Sequence, residues 1–179
     1  RGVNGGKGLV VLNAERESNI IYVNFKSLSS SSEISLGLPG AITFYNSPVN
    51  IKNSSFLDSR SEDSLNLFRS NFKVSDVFFD KSTSDALDID FSDGSIINAN
   101  FLNVGNDGID VSGSNVNLQN ISINGAGDKA ISIGEKSSLF ANNLKISNTS
   151  IGIASKDLSK GKFNNIVVDN VLFYFNMKF

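Results

Sequence analysis

The chain repeats its residue types with a period of about 22, and this repeat constrains the fold more than any other feature. Residues 85–106 align with residues 107–128 without a gap. The matched positions include Leu87 with Ile109, Ile89 with Val111, Ile96 with Leu118, Asn98 with Asn120 and Phe101 with Ile123. A period in the low twenties, with short alternating apolar segments between Gly, Asn, Asp and Ser, is typical of a β-solenoid.

Each repeat from residue 41 onward holds three short segments in which apolar and polar residues alternate. This pattern predicts three strands per coil. We therefore expect one all-β domain over residues 1–179, built as a parallel solenoid of about seven coils. The sequence opens abruptly at Arg1, and it is interpreted as a fragment of a larger protein.

One segment, residues 29–40, interrupts the period. It is rich in serine and closes with Pro39 and Gly40, a pair that marks turns. The segment is predicted to be an insertion loop between the first and second coils. Long loops on a regular scaffold often carry function, and a flexible spacer is the alternative that the sequence leaves open.

Two columns of residues recur at the coil spacing. The first consists of Asn53, Asp76, Asn98, Asn120, Asn143 and Asn165. Asn tolerates the left-handed backbone of a sharp turn, and amides stacked about 4.8 Å apart can bond one another. This predicts an internal asparagine ladder that weakens at Asp76, because a carboxylate cannot donate as an amide does. The second column, Phe25, Phe56, Phe79 and Phe101, predicts rings stacked in the core.

Aspartate is concentrated at the first strand of the central coils. Asp85 and Asp107 share one column, which Lys129 continues, and Asp88 and Asp110 share another. Like charges one strand apart repel unless a cation, a hydrogen bond or a raised pKa relieves them. Oxygen ligands without His or Cys suit Ca²⁺, so Asp85, Asp88, Asp107 and Asp110 are candidate calcium ligands.

Two alternative roles for these aspartates stay open. Aspartate before a strand often caps a turn by accepting bonds from backbone N–H groups, and the remainder would form a solvated face. Neighbouring carboxylates are also what glycoside hydrolysis requires. Turn capping is the interpretation that the sequence favours.

Composition excludes several classes of function. The chain has no His and no Cys, which argues against a zinc site or thiol chemistry. A net charge of −2 offers no basic footprint for nucleic acid. No apolar run approaches the roughly 20 residues of a membrane-spanning helix, so no membrane span is expected.

The span from residue 8 to 179 resembles the right-handed parallel β-helix superfamily that includes pectate lyases, polygalacturonases and many bacterial surface proteins. Residues 106–111 (NDGIDV) and 127–133 (GDKAISI) are similar to the polygalacturonase pattern NTDGxD followed by GDDCIAI. The resemblance implies catalytic carboxylates at Asp107 and Asp128, and Asp110 and Lys129 in the same two runs complete the candidate catalytic set. The chain departs from the pattern, because Lys129 replaces an Asp and the His and Arg-Ile-Lys motifs are absent. Lyase and epimerase relatives use Ca²⁺ and a Lys or Arg base, a role for which Lys129, Lys136 and Lys156 are candidates.

These features lead us to expect a non-catalytic scaffold or carbohydrate-contacting module of a secreted or cell-surface protein, with a polysaccharide or cell-surface glycan as partner. One alternative is a polysaccharide lyase, an epimerase-like domain or a degenerate glycoside hydrolase acting on an acidic polysaccharide. Another is an adhesin or fibre segment that associates end to end, because neither terminus contains an amphipathic helix that would cap a solenoid.

Overall fold

The protein is a parallel β-solenoid. A computed structural model describes residues 6–30 and 37–177, and in these ranges it consists of strands, turns and irregular segments. The chain winds as a right-handed parallel β-helix of about seven turns, which confirms the predicted fold class. The period is also confirmed, because Leu87 pairs with Leu65 on one side and with Ile109 on the other. No helix that could cross a membrane occurs in the described ranges.

Each coil has three faces, numbered in the order in which the chain passes through them. The first face contains β2 (Leu9–Leu12), β6 (Gly40–Tyr45), β9 (Asp63–Phe68), β11 (Asp85–Asp90), β13 (Ile109–Ser112) and β15 (Lys129–Gly134). The second face begins with β3 (Ser18–Ile21) and β7 (Val49–Lys52), and the third with β4 (Asn24–Lys26) and β8 (Ser55–Leu57). The short strands β1 (Gly6–Lys7) and β5 (Leu28–Ser29) pair with each other apart from the main sheet.

The later strands are long because they continue around the corners. β10 (Phe72–Asp80), β12 (Gly94–Val104) and β14 (Asn115–Ala126) run from the second face to the third. β16 (Ser138–Ser155) and β17 (Lys160–Met177) continue further, onto the first face of the next coil.

The core lies inside the coils and is filled by the inward residues of all three faces. Leu65, Leu67, Leu87 and Ile89 are fully buried members of one hydrophobic cluster. On the third face four phenylalanine rings form a continuous stack through Phe25, Phe56, Phe79 and Phe101, with centroid separations of 5.2, 4.5 and 4.8 Å. The predicted aromatic column in the core is confirmed.

The predicted asparagine ladder forms, but it runs along the outside of the second corner. Asn120 donates to Asn98 at 2.9 Å and accepts from Asn143 at 3.0 Å, and these side chains are exposed. The ladder is therefore not internal. Its members have positive φ, such as 55° at Asn120, and this left-handed turn directs the amides along the corner towards solvent. Within the described residues no side-chain hydrogen bond joins Asp76 to Asn53, as expected from a carboxylate that cannot donate.

A second ladder, made of serine, lies inside the first corner and was not predicted from the sequence. Its members are Ser47, Ser70, Ser92, Ser114, Ser137 and Ser159. The hydroxyl of Ser92 accepts from the Ser70 backbone N–H at 2.8 Å and donates to a backbone carbonyl of its own or the preceding coil. Each buried serine thus satisfies backbone groups where the chain turns.

The first coil is offset from the rest. Asn13 is hydrogen-bonded to Asn46, which follows it by 33 residues, so extra chain separates the first two coils. The insertion predicted over residues 29–40 falls in this interval. Residues 31–36 of it lie outside the described residues, while Ser29 pairs with Lys7 and Gly40 begins β6.

Candidate functional site

Two of the predicted acidic residues, Asp88 and Asp110, lie on the outward side of the first face. The core residues Leu87 and Ile89 flank Asp88, and a strand alternates its side chains, so Asp88 faces away from the core. In-register pairing places Asp88 between Asn66 and Asp110, and places Asp85 beside Asp63. The two acidic columns expected from the sequence are therefore both present in the fold.

One column consists of turn-capping carboxylates. Asp85 accepts bonds through one oxygen from the Asn106 side chain at 2.7 Å and from the Asp107 backbone N–H at 2.9 Å. Asp107 in turn accepts from the backbone N–H of Lys129 at 3.0 Å. Each carboxylate thus holds the start of the next coil, which is the structural role that the sequence favoured.

Three of the four candidate catalytic residues, Lys129, Asp107 and Asp128, are in contact with one another through the Lys129 ammonium group. This ammonium group pairs with Asp107 at 3.3 Å and contacts Asp128 more closely still, while Asp110 lies in the neighbouring column. Burial would lower the pKa of Lys129, but its contacts with Asp128 and Asp107 outweigh burial and raise that pKa. Burial raises the pKa of Asp107 to about 6, although Lys129 opposes the shift. The ammonium group is therefore protonated at neutral pH and neutralises charge across the coils.

The second column contains carboxyl groups that are short of hydrogen-bond donors. The Asn66 amide donates to Asp88 at 3.0 Å and to Asp90 at 3.4 Å. Burial, followed by the charge of Asp63, holds the pKa of Asp88 far above its usual range. Asp63, which lies beside Asp85 in the first column, is only 2% exposed, and burial followed by the charge of Asp85 raises its pKa to about 8.

Buried side-chain oxygens without a hydrogen-bond partner occur along this outward column, at Thr43, Asn66, Asp110 and Ser132. Asp63, in the first column, has another. Among residues 6–30 and 37–177 no group of three or more acidic side chains is arranged to hold a metal ion. The oxygens of Asp85 and Asp107 already accept from N–H groups. Calcium binding by these aspartates stays a prediction.

Two open grooves lie beside the first corner, where the chain turns from the first face to the second. The corner groove, of about 370 Å³, is lined mainly by Asn13, Glu15, Asn46, Arg69 and Phe91. The long groove, of about 530 Å³, continues onto the second face. Pro48 and Asn71 line both grooves, so the two share a rim.

Aromatic rings form a line that ends in the corner groove. The Tyr45 and Phe68 rings are stacked with their centroids 5.1 Å apart, and the Phe68 and Phe91 rings meet edge to face with their centroids 5.8 Å apart. The Arg69 guanidinium lies 5.5 Å from the centre of the Phe68 ring, a distance that suits a cation–π contact. Phe91 remains 51% exposed and presents ring surface to solvent inside the groove.

The backbone at Phe91 is unusual for an aromatic residue. Its φ is +48°, a left-handed conformation that bulky residues rarely adopt and that costs about 1–2 kcal/mol. The equivalent corner residues in other coils include Asn13, Asn46 and Gly113, which tolerate this conformation better. A strained, exposed aromatic residue in a groove is a candidate for function.

The corner groove was not predicted from the sequence. One available signal was the column Asn13, Asn46, Arg69, Phe91 and Gly113, in which a phenylalanine occupies a turn position. Comparison with models of known protein families finds none that matches this chain, and comparison with curated proteins finds no match either. The function is therefore inferred from the geometry of the two grooves and of the aspartate-bearing first face, here called the acidic face.

Proposed function

We propose that this chain is a non-catalytic, carbohydrate-contacting module of a secreted or cell-surface protein, and that it contacts sugar in the corner groove. The observation that carries the proposal is the exposed Phe91 ring at the wall of a groove lined by the amides of Asn13, Asn46 and Asn71. Ligand sites commonly combine aromatic surface with a few convergent polar groups.

The chemistry of the groove matches that of a sugar ring. A pyranose presents apolar C–H groups on its faces and hydroxyl groups around its edge. The Phe91 ring offers an apolar surface for a face, and each Asn amide offers both a donor and an acceptor for hydroxyl groups. Asn46 retains free capacity, because its amide nitrogen donates to Asn13 and its oxygen remains available as an acceptor.

The acidic face supports the non-catalytic part of the proposal. A lyase or epimerase base must lose its proton near neutral pH, whereas contacts with Asp128 and Asp107 raise the pKa of Lys129 and keep it charged. Asp107 is 3% exposed and paired with Lys129, so it is poorly placed to reach a glycosidic bond. These groups are better suited to holding successive coils together.

Membership of the pectate-lyase-like superfamily is part of the same proposal. It is supported by the right-handed parallel coil and by the asparagine ladder at the second corner. Secretion or surface display is proposed because the superfamily that the chain resembles includes many bacterial surface proteins.

Binding of a panel of neutral oligosaccharides, measured by isothermal titration calorimetry, tests the proposal. Phe91→Asn should lower affinity at least about tenfold, a loss of about 1.4 kcal/mol. The variant should remain folded, because Asn already occupies the equivalent corner at Asn46. Phe78→Ala removes an exposed aromatic residue from the third face and should bind as the parent does. Equal affinity of Phe91→Asn and the parent, or no binding by the parent, would overturn the proposal.

A further inference from the structure

The long groove extends along the solenoid axis beside the corner groove. Its lining begins at Glu17 in the first coil, passes Asn71 and Lys73 in the third, and reaches Asn117 in the fifth. Adjacent coils are about 4.8 Å apart, so the groove is about 19 Å long. This length exceeds that of a single sugar ring and suits a chain of several units.

The outward column of the second face lines the long groove with Lys73, Ser95 and Asn117. Ser95 lies between the other two and presents only a small hydroxyl-bearing side chain. Gly94 also lines the groove, but it pairs with Phe72 and Val116, whose side chains are buried in the core, and a Cβ there would be 2.7 Å from the Phe72 ring. The missing side chain of Gly94 therefore makes room in the core, and the small Ser95 leaves the middle of the groove open.

The polar groups of the groove suit hydroxyl groups better than charged groups. Asn71, Ser95 and Asn117 offer uncharged donors and acceptors, whereas the charged residues Glu17, Lys73 and Asp93 are of mixed sign. Asp93 already accepts from the backbone and the side chain of Asn115, at 2.8 and 2.9 Å. A polyanion would face two carboxylates and a single ammonium group, which gives no net attraction.

We infer that the two grooves form one site for a linear, uncharged glycan, with one sugar unit against Phe91 and the following units in the long groove. The shared rim at Pro48 and Asn71 provides the continuity. This inference rests on the proposed function and adds to it a ligand class and a direction along the solenoid axis.

Chain-length dependence of binding tests the inference. β-1,4-linked gluco-, manno- and xylo-oligosaccharides, from the monosaccharide to the hexamer, serve as probes in isothermal titration calorimetry. Affinity for at least one series should rise about tenfold or more between dimer and hexamer, because each added unit contacts more of the groove. A uronic-acid hexamer should bind more weakly than the best neutral hexamer.

Two variants and one control locate the effect. Lys73→Ala combined with Asn117→Ala should weaken the hexamer more than the dimer and so remove most of the gain of the hexamer over the dimer, whereas Phe91→Asn should weaken both to a similar extent. Asn100→Ala, an exposed residue of the third face, should have no effect. Dimer and hexamer of equal affinity, or a stronger uronic-acid ligand, would overturn this inference alone. Failure of every neutral probe to bind would overturn the proposed function with it.

Discussion

The Phe91 ring occupies the space that a side chain at Gly113 would need. A Cβ on Gly113 would be 2.6 Å from Cδ1 of Phe91, and Gly113 itself has a φ of +61°. Glycine is therefore required at this corner for two reasons, the left-handed backbone and the position of the ring above it. The orientation of Phe91 in the corner groove depends on the residue one coil away.

Gly113→Ala should displace the Phe91 ring and weaken sugar binding. The left-handed backbone alone costs an alanine about 1–2 kcal/mol. The clash with the ring should add about 1–3 kcal/mol, as for other overpacked sites. Urea unfolding measures the loss of stability, and calorimetry with the best neutral oligosaccharide measures the loss of affinity.

Gly125→Ala is the matched control for that variant. Gly125 also has a left-handed backbone, with a φ of +84°, but a Cβ there would have no neighbour closer than 3.6 Å. Gly125→Ala should lower the free energy of unfolding by the backbone cost alone, and it should leave the affinity for sugar unchanged. If the two alanine variants are equally stable and bind sugar equally, the ring is not held by Gly113.

The serine ladder should be an important source of stability. Ser92→Ala would leave the buried backbone N–H of Ser70 without its acceptor, and an unsatisfied buried donor costs about 1–3 kcal/mol. Ser138→Ala changes an exposed serine of β16 and should alter the unfolding free energy by less than about 0.5 kcal/mol. Equal midpoints of urea unfolding for the two variants would contradict a structural role for Ser92.

The asparagine ladder should contribute mainly through its backbone conformation. Because Asn120 is exposed, water replaces its lost hydrogen bonds, and Asn120→Ala should cost about 1–2 kcal/mol from the left-handed turn. Asn120→Gly keeps the left-handed turn accessible and should cost only a few tenths of a kcal/mol. If alanine and glycine were equally destabilising, the side-chain hydrogen bonds rather than the backbone would dominate.

Much of the fold could be predicted from the sequence, because the period fixes which residues align between coils. Leu65, Leu87 and Ile109 are 22 residues apart, and parallel pairing at that spacing requires no further information. The side of the corner on which Asn120 lies could not be predicted. Whether the Asn120 side chain points inward or outward depends on its backbone conformation at the turn between two strands. A recurring residue type at one position does not reveal that conformation.

The regular period does not show the corner groove, because that groove depends on contacts with the irregular first coil. Asn13 lines the corner groove beside Asn46, 33 residues later, outside the regular period. The serine ladder was within reach, since Ser70, Ser92 and Ser114 recur at 22 residues like the asparagines. The serine ladder was missed because the alternation of apolar and polar residues identifies strands, whereas these serines lie at the corners between strands.

Calcium binding at the acidic face can be tested independently of sugar. If Asp88 and Asp110 are ligands, the midpoint of thermal unfolding should rise in Ca²⁺ more than in NaCl of matched ionic strength, since an ion that binds only the folded state stabilises it. Asp88→Asn combined with Asp110→Asn should remove the difference. Identical melting curves in Ca²⁺ and in chelator would leave these aspartates without a metal-binding role.

The buried carboxyl group of Asp63 should make the protein less stable as the pH rises. Burial, then the charge of Asp85, raises its pKa from 3.8 to about 8, so the folded state retains a proton that the unfolded state has lost. Stability should be highest below about pH 4, fall through the interval up to about pH 8 and level off above it. Asp63→Asn should flatten this slope in urea unfolding, and Asp169→Asn, an exposed control, should retain it. If Asp63→Asn retained the full pH slope of the parent, Asp63 would not be the group that keeps its proton in the folded protein.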